Sequence, residues 1–302
     1  MPDRLKAVLL MCLAVTLFAS LDATAKYLGS DMGVPTAQIV WVRFLGQVLM
    51  MAAILGPTAI PGLLKTQRPR LQFLRSCLMA AITGLNFLAV QYLRLDQTTS
   101  IAFLAPLVVA ALAGPMLGEY VGWRRALAIV VGFLGILIVV RPGFSQFHPA
   151  FIASIASMLA YAVFMIVTRK LSDIDPPLVT LFCSMLVGLI GGVFFAIPVW
   201  VWPSSAFEWV LLLALGALGG SGHYLLIRAY RLAPASSISP FLYFQLLSMI
   251  VVEYSVFGDI PDRWTLIGSA VVIASGLYLV HRERIAHRES KDAAAIKRQA
   301  AV

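Results

Sequence analysis

The sequence predicts an all-α membrane protein: ten transmembrane helices arranged as two inverted five-helix repeats, with both termini cytoplasmic. Composition, the spacing of apolar runs and a likeness between the two halves of the chain lead to that class. Of 302 residues, 60% are hydrophobic and 12% charged, and the mean hydropathy is +0.89. Soluble domains carry about 25% charged residues, so most of this chain belongs in a bilayer. Ten apolar stretches run through it, at 7–28, 36–56, 71–93, 97–117, 124–140, 149–169, 178–202, 206–230, 235–258 and 264–281. At ~1.5 Å per residue, about 20 residues cross ~30 Å of hydrocarbon. A membrane β-barrel would instead show alternating segments of ~10 residues, and the sequence lacks them.

The formal net charge is +9. Its placement decides what it means. With the N-terminus cytoplasmic, eighteen Lys and Arg residues fall on the cytoplasmic side, among them Arg4, Lys6, Lys65, Arg68, Arg70, Arg75, Arg124, Arg125, Arg169, Lys170, Arg228 and Arg231. Only four, Lys26, Arg94, Arg141 and Arg263, fall on the other, and Arg43 lies within a span. That bias fixes the orientation and excludes a nucleic-acid footprint, because the basic residues track topology and anionic lipid. The tail 284–302 reads as a solvated, cytoplasmic basic segment.

Taken in order, the first span carries Asp22 and Lys26. The small-residue pattern Ala23-Thr24-Ala25 after Arg4 and Lys6 resembles a signal-peptide cleavage site. The long apolar region and the repeat described below favour a structural helix instead. The second span holds Trp41 and Arg43, and the third Asn86 and Tyr92. The fourth contains Phe103, Pro106, Pro115 and Gly114-x-x-x-Gly118, and Glu119 closes it. The sixth carries Tyr161, the seventh Gly188-x-x-x-Gly192, and the eighth Gly216-x-x-x-Gly220, His223 and Tyr224. The ninth contains Pro240, Tyr243 and Glu253, with Asp259 at its end. The small-xxx-small patterns permit close helix contact. Pro106, Pro115 and Pro240 remove backbone hydrogen bonds and are expected to kink helices four and nine, with Pro106 and Pro240 as gating residues.

The segment YLRLDQTTSIAFLAPLVVAALAGPMLGEYVGWRRALAIVVGFLGILIVVR (92–141) aligns with YRLAPASSISPFLYFQLLSMIVVEYSVFGDIPDRWTLIGSAVVIASGLYLVHR (230–282). Phe18-Ala19 before Lys26 matches Tyr161-Ala162 before Arg169. The repeats are therefore placed at 6–141 and 149–283. Five spans per half make the second half enter the membrane upside down, the arrangement of many secondary transporters, with a substrate site near the midplane.

An ionisable group at bilayer depth costs at least ~2.5–3.5 kcal/mol on insertion scales, so each invites a role. Lys26 has a basic counterpart at Arg169 and is expected to snorkel to the interface. Asp22 has none, since the repeat offers Met165, and Arg43 corresponds to Ser184 or Met185. Asp22 lies ~9 Å and Arg43 ~11 Å below the outer surface at 1.5 Å per residue, so Asp22 is expected to neutralise Arg43, as a clamp or as a coupling site. The alternative is an i, i+4 pair with Lys26. His223 and its repeat equivalent Asn86 read either as cavity groups or as helix-to-helix hydrogen bonding. Glu253 is a proton carrier or reaches the interface, and Glu119 and Asp259 are caps. Trp41, Tyr92, Phe103, Tyr161, Tyr224 and Tyr243 form an aromatic set fit to line a pocket with polar tips. Cys12, Cys77 and Cys183 stand singly, without metal-ligand spacing.

The patterns GEYVGWRRALAIVVGFLGILIVV and SPFLYFQLLSMIVVEYSVFGDIPDRWTLIGSAVVIASGLYLVHRE resemble the paired EamA domains of the drug/metabolite transporter superfamily, over roughly residues 6 to 283. Glu253 departs from that pattern, where a small or apolar residue is expected. The resemblance implies a ten-helix, multi-pass carrier of the bacterial inner membrane. In appearance it is closest to amino-acid exporters such as the aromatic amino acid exporter, and the alternative is a carrier for a vitamin or nucleoside-type metabolite such as riboflavin or S-adenosylmethionine. The implied partners are a small-molecule substrate and the lipid bilayer, with no cofactor and no metal. Proton coupling and the choice between monomer and homodimer are left open. An enzyme is disfavoured because H-E-x-x-H, G-x-S-x-G and the ATP-binding G-x-x-x-x-G-K-[ST] are all missing from the sequence.

Overall fold

Hydrocarbon offers no partner to a backbone N–H or C=O, so a crossing segment must satisfy its own, and a helix does so. The computed structural model describes residues 3–105, 107–109, 111–112, 123–141, 148–171, 174–232, 239–278 and 281, and among them all regular structure is helical. The helices are α1 Asp3–Ser30, α2 Thr36–Leu55, α3 Pro69–Val90, α4 Leu95–Ala102 and α5 Trp123–Val140. They continue with α6 Ala150–Leu171, α7 Pro177–Ala196, α8 Ala206–Leu232, α9 Phe244–Phe257 and α10 over 263–278. Six of them, α1, α2, α3, α6, α7 and α8, contain stretches long and apolar enough to cross a membrane, and α4, α5 and α9 are shorter apolar helices.

Local chemistry sets the boundaries. Pro69 and Pro177 occupy the first helical positions of α3 and α7, where a missing N–H costs nothing. Gly258 ends α9 in the left-handed conformation at φ +74°, which a side chain would strain. Pro240 does not kink a helix as expected. It belongs to the 3-10 turn Ser239–Tyr243 that leads into α9, a position suited to proline. Pro106, Pro115, Glu119, Gly114, Gly118 and the tail 284–302 lie outside the described residues.

The packing has a reciprocal pattern. α1 packs on α8 as α6 packs on α3; α2 packs on α8 as α7 packs on α3; α1 meets α9 as α6 meets α4. α2 faces α7 and α4 faces α9, while α5 and α10 touch where Gly135 and Gly268 approach each other's backbone. Every such pairing recurs when five is added to each helix number, cyclically.

Contacts near the turns fall into two sets. At one end, called here the Glu253 end, Gln38 at the start of α2 exchanges two hydrogen bonds with the backbone of Val201, at 2.8 and 2.9 Å, and Arg141 pairs with Asp262. At the other, the Asp175 end, Thr66 and the Gln67 N–H donate to Asp175 at 2.5 and 3.0 Å, and Gln72 donates at 2.9 Å. Among the described residues these bonds join turns that follow odd-numbered helices to each other and turns that follow even-numbered helices to each other, as alternating crossings require. Burial works against the charged form of Asp175, but these three donors outweigh it and hold the carboxyl below its usual range. At Asp262 the Thr265 N–H and Arg141 do the same.

Glycines let α2 lie against α7 and α8. Gly188 sits under the ring of Phe44, Gly192 against Trp41, Gly220 against Met50, and Gly216 meets the backbone of Gly46. Two of the small-xxx-small patterns are therefore close-contact seams. A Cβ built on Gly46 would stand 2.9 Å from the Gly216 Cα, whereas one on Gly84 would meet open space. Gly46→Leu and Gly216→Leu are expected to lower thermal stability in detergent, by the ~1–3 kcal/mol typical of overpacking, and Gly84→Ala to leave it unchanged. Equal melting of all three would mean that the seam is not close.

Candidate functional site

A polar interior lies where α1, α2, α3 and α8 meet. Asp22 of α1 accepts a hydrogen bond from Asn86 Nδ2 of α3 at 3.1 Å. Arg43 of α2 donates through Nη1 to Thr83 Oγ1, one turn earlier on α3, while its guanidinium lies 5.3 and 5.5 Å from the rings of Phe44 and Phe87. The two charges act on each other electrostatically, yet no Asp22–Arg43 contact within 4.0 Å forms among the described residues. The expected direct clamp is thus replaced by a bridge: α3 supplies a neutral partner to each.

Three buried nitrogens face this region without a hydrogen-bond partner: Arg43 Nε, Gln47 Nε2 and His223 Nε2. Gln47 and Arg43 border Gly219 on α8, where the missing side chain leaves them room. The ring of Phe18 lies 4.9 Å from that of His223. Asp22 and His223 are surrounded by protein but keep part of their surface accessible, as groups facing an internal opening do. Unpartnered buried polar atoms are costly in hydrocarbon, and these three of the seven found among the described residues lie close enough to share one polar ligand or water.

Toward the Glu253 end the charges are fully answered. Glu253 of α9 has 0% exposure and accepts from Lys26 Nζ at 2.6 Å and from the Leu95 N–H at 2.6 Å. Lys26 is only 8% exposed and lies 4.5 Å from the centre of the Phe257 ring. Lys26 therefore does not snorkel, and Glu253 is enclosed and paired with it rather than exposed at the interface. The carboxylate sits at the first residue of α4, where the helix dipole favours negative charge, and it ties α1, α4 and α9 together. Thr16 and Ser248, 2.9 Å apart, add a second α1–α9 link.

Of the predicted aromatic and polar set, Asn86, His223 and Tyr161 lie within the bundle interior. Trp41 is packing: its Nε1 donates to the Leu189 carbonyl at 2.9 Å and its ring meets Trp200 edge-on. Phe103 and Tyr243 stack edge to face at 4.9 Å, and the Tyr243 hydroxyl presses on Gly276. Tyr92 stacks on His148, and Tyr224 is exposed and accepts from Arg228 at 2.9 Å. Sequence reasoning missed Phe18, Gln47, Thr83 and Arg75. A glutamine in the middle of an apolar span was the available signal for Gln47. Among the described residues no group of three or more His, Cys, Asp or Glu comes together as a metal site, and the three cysteines are free.

The three-helix tie gives a direct test. Lys26→Met strands a buried carboxylate and Glu253→Met a buried ammonium, each expected to cost ~3–5 kcal/mol, with the double variant closer to wild type than either single one. Thermal melting in detergent checks it, and strictly additive losses would contradict the pairing.

The chain matches the EamA-like transporter family twice, over residues 5–141 and 148–281. It is 27% identical over 267 residues to the S-adenosylmethionine uptake transporter of Rickettsia prowazekii, covering 87% of this chain and 88% of that protein. It is 25% identical over 291 residues to the riboflavin transporter of Vibrio cholerae, covering 96% and 98%. A pseudopaline exporter of Pseudomonas aeruginosa is 23% identical over 279 residues, covering 92% and 97%. A solved crystal structure shares the fold at a TM-score of 0.60 and 18% identity, over 90% of this chain and 96% of that one. These relatives and the apolar helices make the protein a multi-pass component of the bacterial inner membrane. The two matches together cover most of the chain, which belongs to the EamA-like transporter family of the drug/metabolite transporter superfamily.

Proposed function

We propose that the protein is a secondary carrier that moves a small metabolite by alternating access, with ten crossings in two inverted repeats, 6–141 and 149–283, and both termini cytoplasmic. The observation that carries this reading is the group of unpartnered buried nitrogens, Arg43 Nε, Gln47 Nε2 and His223 Nε2, beside the rings of Phe18 and Phe87. A polar solute passing between these helices would supply the partners that hydrocarbon does not. The rings beside them suit a planar heteroaromatic group.

The relatives named for S-adenosylmethionine and riboflavin favour a nucleoside-type or vitamin solute over amino-acid export. Both named solutes combine a planar heteroaromatic ring with a polar chain, the chemistry that the Phe18–His223 region offers to match. Relatives named for uptake and for export both occur, so the direction of transport is a property to be measured.

Purified protein in liposomes should carry radiolabelled S-adenosylmethionine or riboflavin in uptake or counterflow, with and without a pH gradient. Arg43→Gln and His223→Ala should lower the rate about tenfold or more, equivalent to ~1.4 kcal/mol, while the outward-facing Phe73→Ala leaves it unchanged. Equal rates in all variants would remove the site. For the topology, a reporter fused after Ser290 should be active only as a cytoplasmic reporter, and a periplasmic signal would break the ten-crossing arrangement.

A further inference from the structure

Arg75 was counted with the basic residues of a cytoplasmic turn, but it lies in the second turn of α3 and is only 8% exposed. Its Nε donates to Thr168 of α6 at 2.8 Å, and Nη1 donates to the Thr180 carbonyl of α7 at 2.9 Å and to the Ser184 hydroxyl. All three acceptors are neutral. Nη2 makes no hydrogen bond among the described residues and is not sealed from access. The Phe164 ring lies 4.3 Å from the guanidinium carbon, and Tyr161 stacks on Phe164 with centroids 6.0 Å apart. Tyr161 is 41% accessible, so its ring is open to a ligand on the side away from Phe164.

The charge balance within the bundle singles Arg75 out. Among the described residues, Lys26 is cancelled by Glu253, and Arg43 has Asp22 across the interior. No carboxylate lies within 4.0 Å of Arg75. Asp175, in the turn between α6 and α7, is occupied by Thr66, Gln67 and Gln72, and Gln72 stands between it and Thr180. Among the described residues, Arg75 is therefore held by neutral acceptors alone, without a carboxylate partner. Arg75 and Asn86, eleven residues apart, share one face of α3, so both face the same side of that helix. A stranded guanidinium is expensive in low dielectric, and a fork of free N–H donors is shaped for a carboxylate or a phosphate.

We propose that Arg75 is the docking point for an anionic group, a carboxylate or phosphate, on the transported solute, with Phe164 and Tyr161 forming the aromatic wall beside it. The assignment rests on the carrier reading above and narrows its substrate class to solutes that bear a negative group. It also explains an asymmetry of the repeats: Ser184, which occupies the place of Arg43 in the second half, serves Arg75 instead.

Thermal shift of the purified protein in a nonionic detergent tests this without requiring transport. The probes are matched pairs: riboflavin with riboflavin 5′-phosphate, and decarboxylated S-adenosylmethionine with S-adenosylmethionine. The member that bears the carboxylate or phosphate, in at least one pair, should bind wild type about tenfold tighter than its mate. Ser184→Asp places a carboxylate on Nη1, so it should raise the melting temperature of the free protein and abolish that preference, and it avoids the risk that Arg75→Met fails to fold. Equal stabilisation by both members of each pair, no stabilisation by any of them, or a preference that survives Ser184→Asp would each overturn the assignment. Phosphatidylglycerol micelles run in parallel identify the other source of the same chemistry: stabilisation by the lipid alone, lost in Ser184→Asp, would place a headgroup on Arg75 and also overturn it. The carrier reading is judged separately by counterflow in liposomes, so either idea can fail while the other stands.

Discussion

A charge inside hydrocarbon has to be answered from another helix, and here the answers hold the two halves of the chain together. Glu253 is the clearest instance. Completely enclosed, it takes one proton donor from α1 and another from the first turn of α4, so a side chain of the second half is satisfied wholly by the first. Arg75 makes the reverse connection, from α3 to α6 and α7. Asp22 and Arg43 are served within the first half by Asn86 and Thr83. Since apolar side chains gain little from one another that lipid would not also give, such bonds and the glycine seams of α2 decide which helices meet.

The same constraint explains why the proposed site is where it is. Among the described residues seven buried side-chain atoms lack a partner; Gln72 Oε1, Gln91 Nε2, Trp200 Nε1 and Thr265 Oγ1 stand elsewhere in the bundle, while Arg43 Nε, Gln47 Nε2 and His223 Nε2 lie around Gly219 and Phe18. In a carrier, a solute or water supplies the missing partners during part of the cycle. Any separation of α1 from α9 at the Glu253 end has to break the bond between Lys26 and its carboxylate. At the opposite end, Asp175 joins the turn before α3 to the turn before α7 through hydrogen bonds to neutral groups, a link that is weaker per bond than a buried ion pair.

Much of this was legible in the sequence. Apolar length located the long helices α1, α2, α3, α6, α7 and α8 to within several residues but overran the shorter α4 and α9, and the repeat offset between Phe18 and Tyr161 or Asn86 and His223 anticipated the reciprocal packing. The expected direct contact of Asp22 with Arg43 does not form, because depth does not give the direction in which a side chain leaves its helix, and α3 supplies each with a neutral partner. Lys26 was misread because its repeat partner Arg169 suggested an interfacial role. The opposing clue was Glu253, an acid at the same end of its helix where the family pattern expects an apolar residue. Arg75 was hidden by the charge count itself, which treats every basic residue near a span end as solvated. The aromatic set was the least reliable, since Trp41, Phe103 and Tyr243 turned out to be packing groups, and nothing in the spacing of aromatic residues separates packing from lining.

The central claim is that one polar opening runs along α3 from Asn86 to Arg75, bordered by His223 and Tyr161, and is reachable from water. The most direct measurement is thiol accessibility in membranes. With Cys12, Cys77 and Cys183 replaced by alanine, single cysteines at Asn86, Tyr161 and His223 should react with a small, membrane-impermeant thiol reagent, while those at the outward-facing Phe73, Leu88 and Phe194 should not. Protection of all three interior positions, or labelling of the outward set in their place, would contradict the account.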